Sequence, residues 1–389
     1  MIRILTKFKW EILIFAIVFA VYLIFSNQKP SIYNHHVYIA NAFLSGTFEI
    51  KNSPSWHNDV AVVNGKKYGI YGPAPAIILM PFVAIFGLKA PEGLLNLIIA
   101  SGGVIVFWQI LSKLKFTKEF KIWITAFFAF GTLNFFSAAH DQTWWFTYIV
   151  ASFFLLLSIN ELLGKKRAIL IGLAIGIAYA TRVETAFSLI FALTLLNYKQ
   201  ISLKKSFGLL LGFAIPFVLF SYYNFARFGN IFDTGYANFV IHDPSSYIPY
   251  GLFSWHYFSN DFYTYFLKGP EIISAFPYFK PPWIGMSIIF TTPAFLFILN
   301  TFRRKVLNKA IIAAWISTIL MAIPSLTYFL PGWTEFGWKH SVVFTPFLAY
   351  LMVKGMDGKL NFLKKTLIIF SIAVQIWGVL WWKLSGWFY

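Results

Sequence analysis

The sequence predicts an all-α integral membrane protein of about ten or eleven membrane segments in one polytopic domain over residues 1–389, and three observations carry that reading. Hydrophobic residues make up 58% of the chain and charged residues 12%, against about 45–50% and about 25% in soluble domains. Mean hydropathy is +0.67, and the apolar residues come in runs near the roughly 20 that a bilayer asks of a helix. The 32 Lys and Arg against 14 Asp and Glu, a formal +18, fall mostly in short segments between those runs. On a soluble protein such a charge would point to nucleic acid. Here it orients the chain instead.

The first run, residues 10–26, follows Arg3, Lys7 and Lys9 and has no small-residue cleavage site after it, which makes it a retained span with a cytoplasmic N-terminus. Further runs cover 94–111, 122–138, 145–163, 207–223, 284–302, 311–327, 342–353 and 366–382. Residues 76–88 would form a helix only about 20 Å long and are placed as a juxtamembrane or re-entrant helix on the outer side. Residues 168–196 lie between Lys165-Lys166-Arg167 and Lys199, Lys204 and Lys205, with Arg182 and Glu184 in the middle, and are expected to form a helical hairpin. Gly172 and Gly176, like Gly208 and Gly212, stand one turn apart and permit close helix packing. This arrangement puts 21 basic residues and four acids in cytoplasmic segments and the C-terminus outside a multi-pass protein of the cell membrane.

The outer side then holds two long connections, 27–75 and 224–283, and short ones at 140–144 and 328–340. All seven histidines and ten of the fourteen acids fall there, so the chemistry is sought there. In the first connection Val37, Ala40, Phe43 and Leu44 have helical spacing, predicting an interfacial amphipathic helix that ends at Gly46. Asn64-Gly65 reads as a tight turn, and Pro73 and Pro75 open the next helix. Asp59 and Asp141 are the acids nearest the membrane surface and the candidate catalytic pair. Arg182, Arg227 and Lys339 are cations placed to meet a lipid phosphate, with His35, His36, His57 and His140 as neighbouring polar candidates. No cofactor is fixed; a divalent cation among Asp59, His57, Asp141 and His140 has suitable donors. The absence of cysteine excludes thiolate sites and disulfides.

The order of parts resembles the polytopic GT-C glycosyltransferases that use polyprenyl-phosphate sugars, the group of protein O-mannosyltransferases and lipid A aminoarabinose transferases, and is nearest their poorly characterised prokaryotic members. The similarity lies in a single span, a long outer loop with an interfacial helix, and a Tyr71-Gly-Pro-Ala-Pro-Ala helix start. It continues through the Gly172 to Arg182 hairpin, Asn224-Phe-Ala-Arg-Phe-Gly with Thr234-Gly-Tyr, and Gly337-Trp-Lys-His. The resemblance implies inverting transfer of a sugar to an acceptor on the outer face, with a carboxylate as general base and cations on the departing lipid phosphate. Where such enzymes carry an early acid this chain has Asn34-His35-His36, and Lys339-His340 stands where an Arg-Tyr pair is common. The base role then passes to Asp59, to Asp141 or to a histidine; Asp59 is the expected base, with Asp141 assisting or orienting and Arg182 and Lys339 at the phosphate. Competing expectations are a transporter or flippase, a polymerase or ligase of lipid-linked sugars, and a non-catalytic membrane scaffold.

Overall fold

The computed structural model describes residues 8–26, 31–51, 53–54, 57, 59–140, 142–241, 248–333 and 335–385; Asp141 and His242 lie outside the described residues. Helices dominate. The chain begins with α1 (Lys9–Phe25), then α2 (His35–Leu44), the hairpin β1 (Val60–Val63) and β2 (Lys66–Gly69), α3 (Pro73–Phe86) and α4 (Glu92–Lys113). Next come α5 (Lys118–Phe130), α6 (Leu133–Ala139), α7 (Thr143–Leu162), α8 (Ala168–Tyr179), a 3₁₀ turn at Val183–Phe187, α9 (Ser188–Leu196) and α10 (Leu203–Phe228). The last third holds α11 (Tyr236–Ile241), α12 (Phe258–Phe266), the strands β3 (Glu271–Ile272), β4 (Phe279–Lys280) and β5 (Ile284–Met286), α13 (Ile288–Thr291) and a 3₁₀ helix at Pro293–Phe302. It closes with α14 (Lys309–Leu326), β6 (Glu335–Gly337), α15 (Ser341–Met356) and α16 (Phe362–Ser385).

Among the described residues five helices are long and apolar enough to cross a bilayer: α4, α7, α10, α14 and α16. A sixth results if α5 and α6, bent by 49°, count as one span. The bend has a local cause. Gly131 ends α5, and the Thr132 side chain accepts the Asn134 amide to cap a new helix. Run 284–302 is likewise not one helix: β5 pairs in parallel with β6, and α13 gives way to 3₁₀ structure at Thr292-Pro293. The remaining apolar runs form shorter helices, including α3, α8 and α15.

The segment 168–196 breaks at Arg182 between α8 and α9. Lys166 and Lys199 border one cleft, so both ends of the segment lie at the same end of the bundle. Helices α8 and α10 pack closely because glycines meet backbone: a Cβ on Gly172 would overlap the Leu209 carbonyl oxygen, and one on Gly212 the Ile169 carbonyl oxygen. Gly208 differs, since a Cβ there would sit at an ordinary 3.4 Å from Ala168 Cβ.

Two ends of the bundle are distinct in chemistry. The Thr143 hydroxyl, at the start of α7, donates to Glu92 Oε1 at the start of α4 (3.0 Å), while at their far ends Lys113 Nζ donates to Asn160 Oδ1 (2.7 Å). Helix α10 enters from the basic end at Lys204-Lys205 and leaves at Arg227. All three helices thus connect the basic loops with the opposite face, where the first long connection folds, α10 running away from the basic end and α4 and α7 toward it.

Candidate functional site

The first long connection is a packed cap. Helix α2 ends as expected, with Gly46 at φ +70°, but it is not a one-sided interfacial helix: His35, His36, Val37, Ile39, Ala40 and Ala42 are all buried, and it packs against α3. The β1–β2 register pairs Val63 with Lys66, leaving Asn64 and Gly65 as a two-residue turn, both at positive φ. Asp59 immediately precedes β1 and Tyr71 follows β2, so the hairpin brings the two side chains together.

Asp59 Oδ2 accepts from the Tyr71 hydroxyl and from Trp144 Nε1 (2.8 Å), and lies 3.7 Å from His35 Nε2. Both donors fall on one oxygen, which leaves Oδ1 with its lone pairs available on a side chain that is 15% exposed. Burial, reinforced by the Asp59 charge, holds the Tyr71 hydroxyl well above its ordinary pKa, so it remains a donor. The His35 and His57 rings stack in parallel with centroids 4.3 Å apart, and Ser53 Oγ meets His57 Nδ1 at 3.1 Å.

Burial pushes His35, His36 and His57 down to about 3, with His35 adding to the shift at the other two. The unfolded chain takes up protons below its ordinary histidine pKa of about 6.5, which the folded rings refuse until about 3. Their contribution to stability is therefore complete above the unfolded value and is lost as pH falls through that window. The thermal unfolding midpoint in detergent is expected to drop by several degrees between about pH 7 and about pH 5, and to drop less in His57→Gln. A midpoint indifferent to pH would refute the neutral histidine cluster.

Arg182 is brought to this cap by backbone. The Ala74 amide donates to the Ala180 carbonyl (3.3 Å), and a Cβ on Gly72 would overlap that same carbonyl, so only glycine lets the strand-to-helix turn after Tyr71 rest on the α8 end. Arg182 Nε donates to Glu184 Oε1 (2.8 Å), and the guanidinium lies 5.1 Å from the centroid of Tyr148. Four of the five N–H donors of the guanidinium remain beyond that bond. Trp144 and Tyr148 are one turn apart on α7, so a single helix face serves both Asp59 and Arg182. Burial raises the Tyr236 and Tyr328 hydroxyls above their ordinary pKa; the Asp59 charge adds to that rise and the Arg182 charge opposes it.

Lys339 forms an ion pair with buried Glu335 on β6, and burial raises the Glu335 carboxyl against the pull of that lysine. His340 packs edge-on against Tyr148 (5.6 Å), which connects this pair to the Arg182 side of the network. Trp338 stacks on Tyr265 (4.5 Å) and donates to Ser325 Oγ (3.1 Å), fixing the segment that carries Lys339.

Two sequence candidates, Arg227 and His140, are engaged elsewhere, and a third, His36, is a buried part of the cap whose ring lies 5.1 Å from that of Tyr71. Arg227 is 4% exposed, and its guanidinium is consumed by the Gly69 carbonyl, the Tyr223 carbonyl (3.1 Å) and Asn224 Oδ1 (2.8 Å); it pins β2 to the end of α10. His140 bonds the Phe136 carbonyl through Nδ1 (2.6 Å) and stacks on the Phe136 ring (4.0 Å), within an aromatic cluster separate from Asp59. His36 is buried and meets Thr147 Oγ1 through Nε2 (2.8 Å). Asp141 is outside the described residues. Among the described residues no three His, Asp or Glu stand close enough to hold a metal ion. The sequence reading did not single out Tyr71, Trp144, Tyr148, Tyr236, Glu184 or Glu335 as site residues. The one available signal was the i, i+4 spacing of Trp144 and Tyr148.

No protein-family model, curated protein or solved structure matches the chain.

Proposed function

We propose that the protein is a membrane glycosyltransferase that moves a sugar from a polyprenyl-phosphate donor to an acceptor hydroxyl on the outer face, with inversion at the anomeric carbon. The observation that supports this best is the shared face of α7, where Trp144 holds a carboxylate that keeps one uncommitted oxygen (2.8 Å) and Tyr148, one turn on, lies 5.1 Å from a guanidinium with uncommitted donors. Asp59 Oδ1 takes the proton of the attacking hydroxyl as the new glycosidic bond forms. The bond to the lipid phosphate breaks, and Arg182, assisted by Lys339, meets the charge that develops on it. Tyr71 and Trp144 hold the carboxylate in one rotamer, so the base is positioned before substrate arrives. A donor anchored by its lipid chain approaches such a site sideways from the bilayer.

On this reading the basic end of the bundle is cytoplasmic. The short and broken helices α3, α5–α6, α8–α9 and 284–302 complete a GT-C-like set of about ten or eleven membrane segments. The test is purified protein in proteoliposomes, supplied with polyprenyl-phosphate sugars and hydroxyl-bearing acceptors. Transfer of label from lipid to acceptor is the expected result. Movement of the intact lipid-linked sugar across the bilayer without transfer would replace this reading with a flippase.

A further inference from the structure

At the opposite end of the molecule a cleft of about 690 Å³ opens between the end of α7, the end of α9, the start of α10 and the faces of α14 and α15. Its charged lining is Lys166, Lys199 and Lys205, and no Asp or Glu contributes to it. The nearest acid in sequence, Glu161, is taken by Arg167 through Nε (3.0 Å) and Nη2 (2.8 Å), so it does not neutralise these lysines. Lys166 holds φ +57°, a left-handed backbone that disfavours a side chain, and its amide donates to the Glu161 carbonyl (3.0 Å). The walls between the lysines are apolar, with Leu162, Leu196 and the ring of Tyr350 among them. Ile201, which lines the cleft, and Leu203, two residues on, are 78% and 81% exposed, which suits side chains that meet lipid and not water.

We infer that this cleft binds an anionic phospholipid of the membrane leaflet at the basic end, its phosphate among Lys166, Lys199 and Lys205 and an acyl chain along the Leu162–Leu196 wall. Charge and shape each contribute. A cluster of lysines alone would attract any anion weakly, and an apolar groove alone would take any lipid; together they select a lipid with net negative charge. The site is distinct from the Asp59 cluster: Trp144 and Leu162 are 18 residues apart on α7, about 27 Å along the helix. The inference does not depend on the transfer reaction.

The test is native mass spectrometry of delipidated protein in a neutral detergent, titrated with phosphatidylglycerol or phosphatidylcholine. Wild type is expected to retain phosphatidylglycerol in preference to phosphatidylcholine. The variant Lys166→Gln/Lys199→Gln/Lys205→Gln is expected to lose about a hundredfold in affinity for the anionic lipid, three basic groups near a membrane surface counting about 1 kcal/mol each at about 1.4 kcal/mol per tenfold. Arg303→Gln/Arg304→Gln/Lys305→Gln, which removes the same charge from exposed positions of another loop, is expected to change it less than about twofold. Equal losses in the two variants, equal binding of both lipids by wild type, or displacement of the lipid by millimolar inorganic phosphate would each overturn the inference.

Discussion

Asp59→Asn is expected to reduce sugar transfer by about 10²- to 10⁴-fold, the usual contribution of a general base, while leaving the fold in place. The amide is nearly isosteric, and its oxygen can still accept from Tyr71 and Trp144, so the cap keeps its two anchoring hydrogen bonds. What is lost is the ability of the second position to take a proton, because an amide nitrogen is a donor. The measurement is initial transfer rate in proteoliposomes at saturating donor, with the thermal unfolding midpoint as the control. A rate close to wild type would remove Asp59 as the base. A slow rate accompanied by a large fall in the midpoint would point instead to a structural carboxylate.

The largest effect on stability is expected from Gly172→Ala. The added Cβ would overlap the Leu209 carbonyl oxygen and come within 2.8 Å of the Phe213 amide nitrogen, both backbone atoms of α10 that no rotamer change can move. The helices must separate, which costs about 3 kcal/mol or more at a close-packed contact. Gly208→Ala is the matched comparison, since its Cβ meets side-chain carbons at 3.4 and 3.5 Å and comes no nearer than 3.9 Å to backbone. It is expected to be neutral or slightly stabilising, because alanine is the better helix former by about 1 kcal/mol. Thermal unfolding of both variants in the same detergent decides the matter. Similar midpoints would mean that the α8–α10 contact is looser than the structure places it.

The two glycine pairs illustrate how far sequence reaches. Spacing marks a helix face that admits a close neighbour, but it does not say which glycine touches backbone; that depends on how far each helix slides along the other. Five of the apolar runs were equally legible, forming α4, α7, α10, α14 and α16, because lipid imposes length. The breaks within the runs were less so. At 284–302 the deciding contact is the pairing of β5 with β6, about fifty residues later in the chain, and a hydropathy window has no access to a partner that distant. At α5–α6 the Gly131-Thr132 break was written in local capping chemistry and was outweighed by the apolar run around it.

The site shows a similar division. Asp59 and Arg182 stood out because acids and intramembrane charges are rare in a chain with 12% charged residues. Their partners did not, because Tyr71 and Trp144 are drawn from a sequence that is 21% aromatic and are joined to Asp59 from 12 and 85 positions away. Arg227 was read as a lipid contact because it lies at the end of a span. Its real employer is the Gly69 carbonyl, an acceptor far away in sequence that only the fold brings near.

That tie gives α10 a second role. The helix has 26 residues, about 39 Å at 1.5 Å per residue, against a hydrocarbon thickness of about 30 Å, and only 28% of its apolar window is covered by protein. A helix so long and so bare meets a change in bilayer thickness by tilting. Through Arg227 its last turn carries β2, and with β2 the hairpin that presents Asp59. Were the helix set in a bilayer, such a tilt would reach the carboxylate through this arginine.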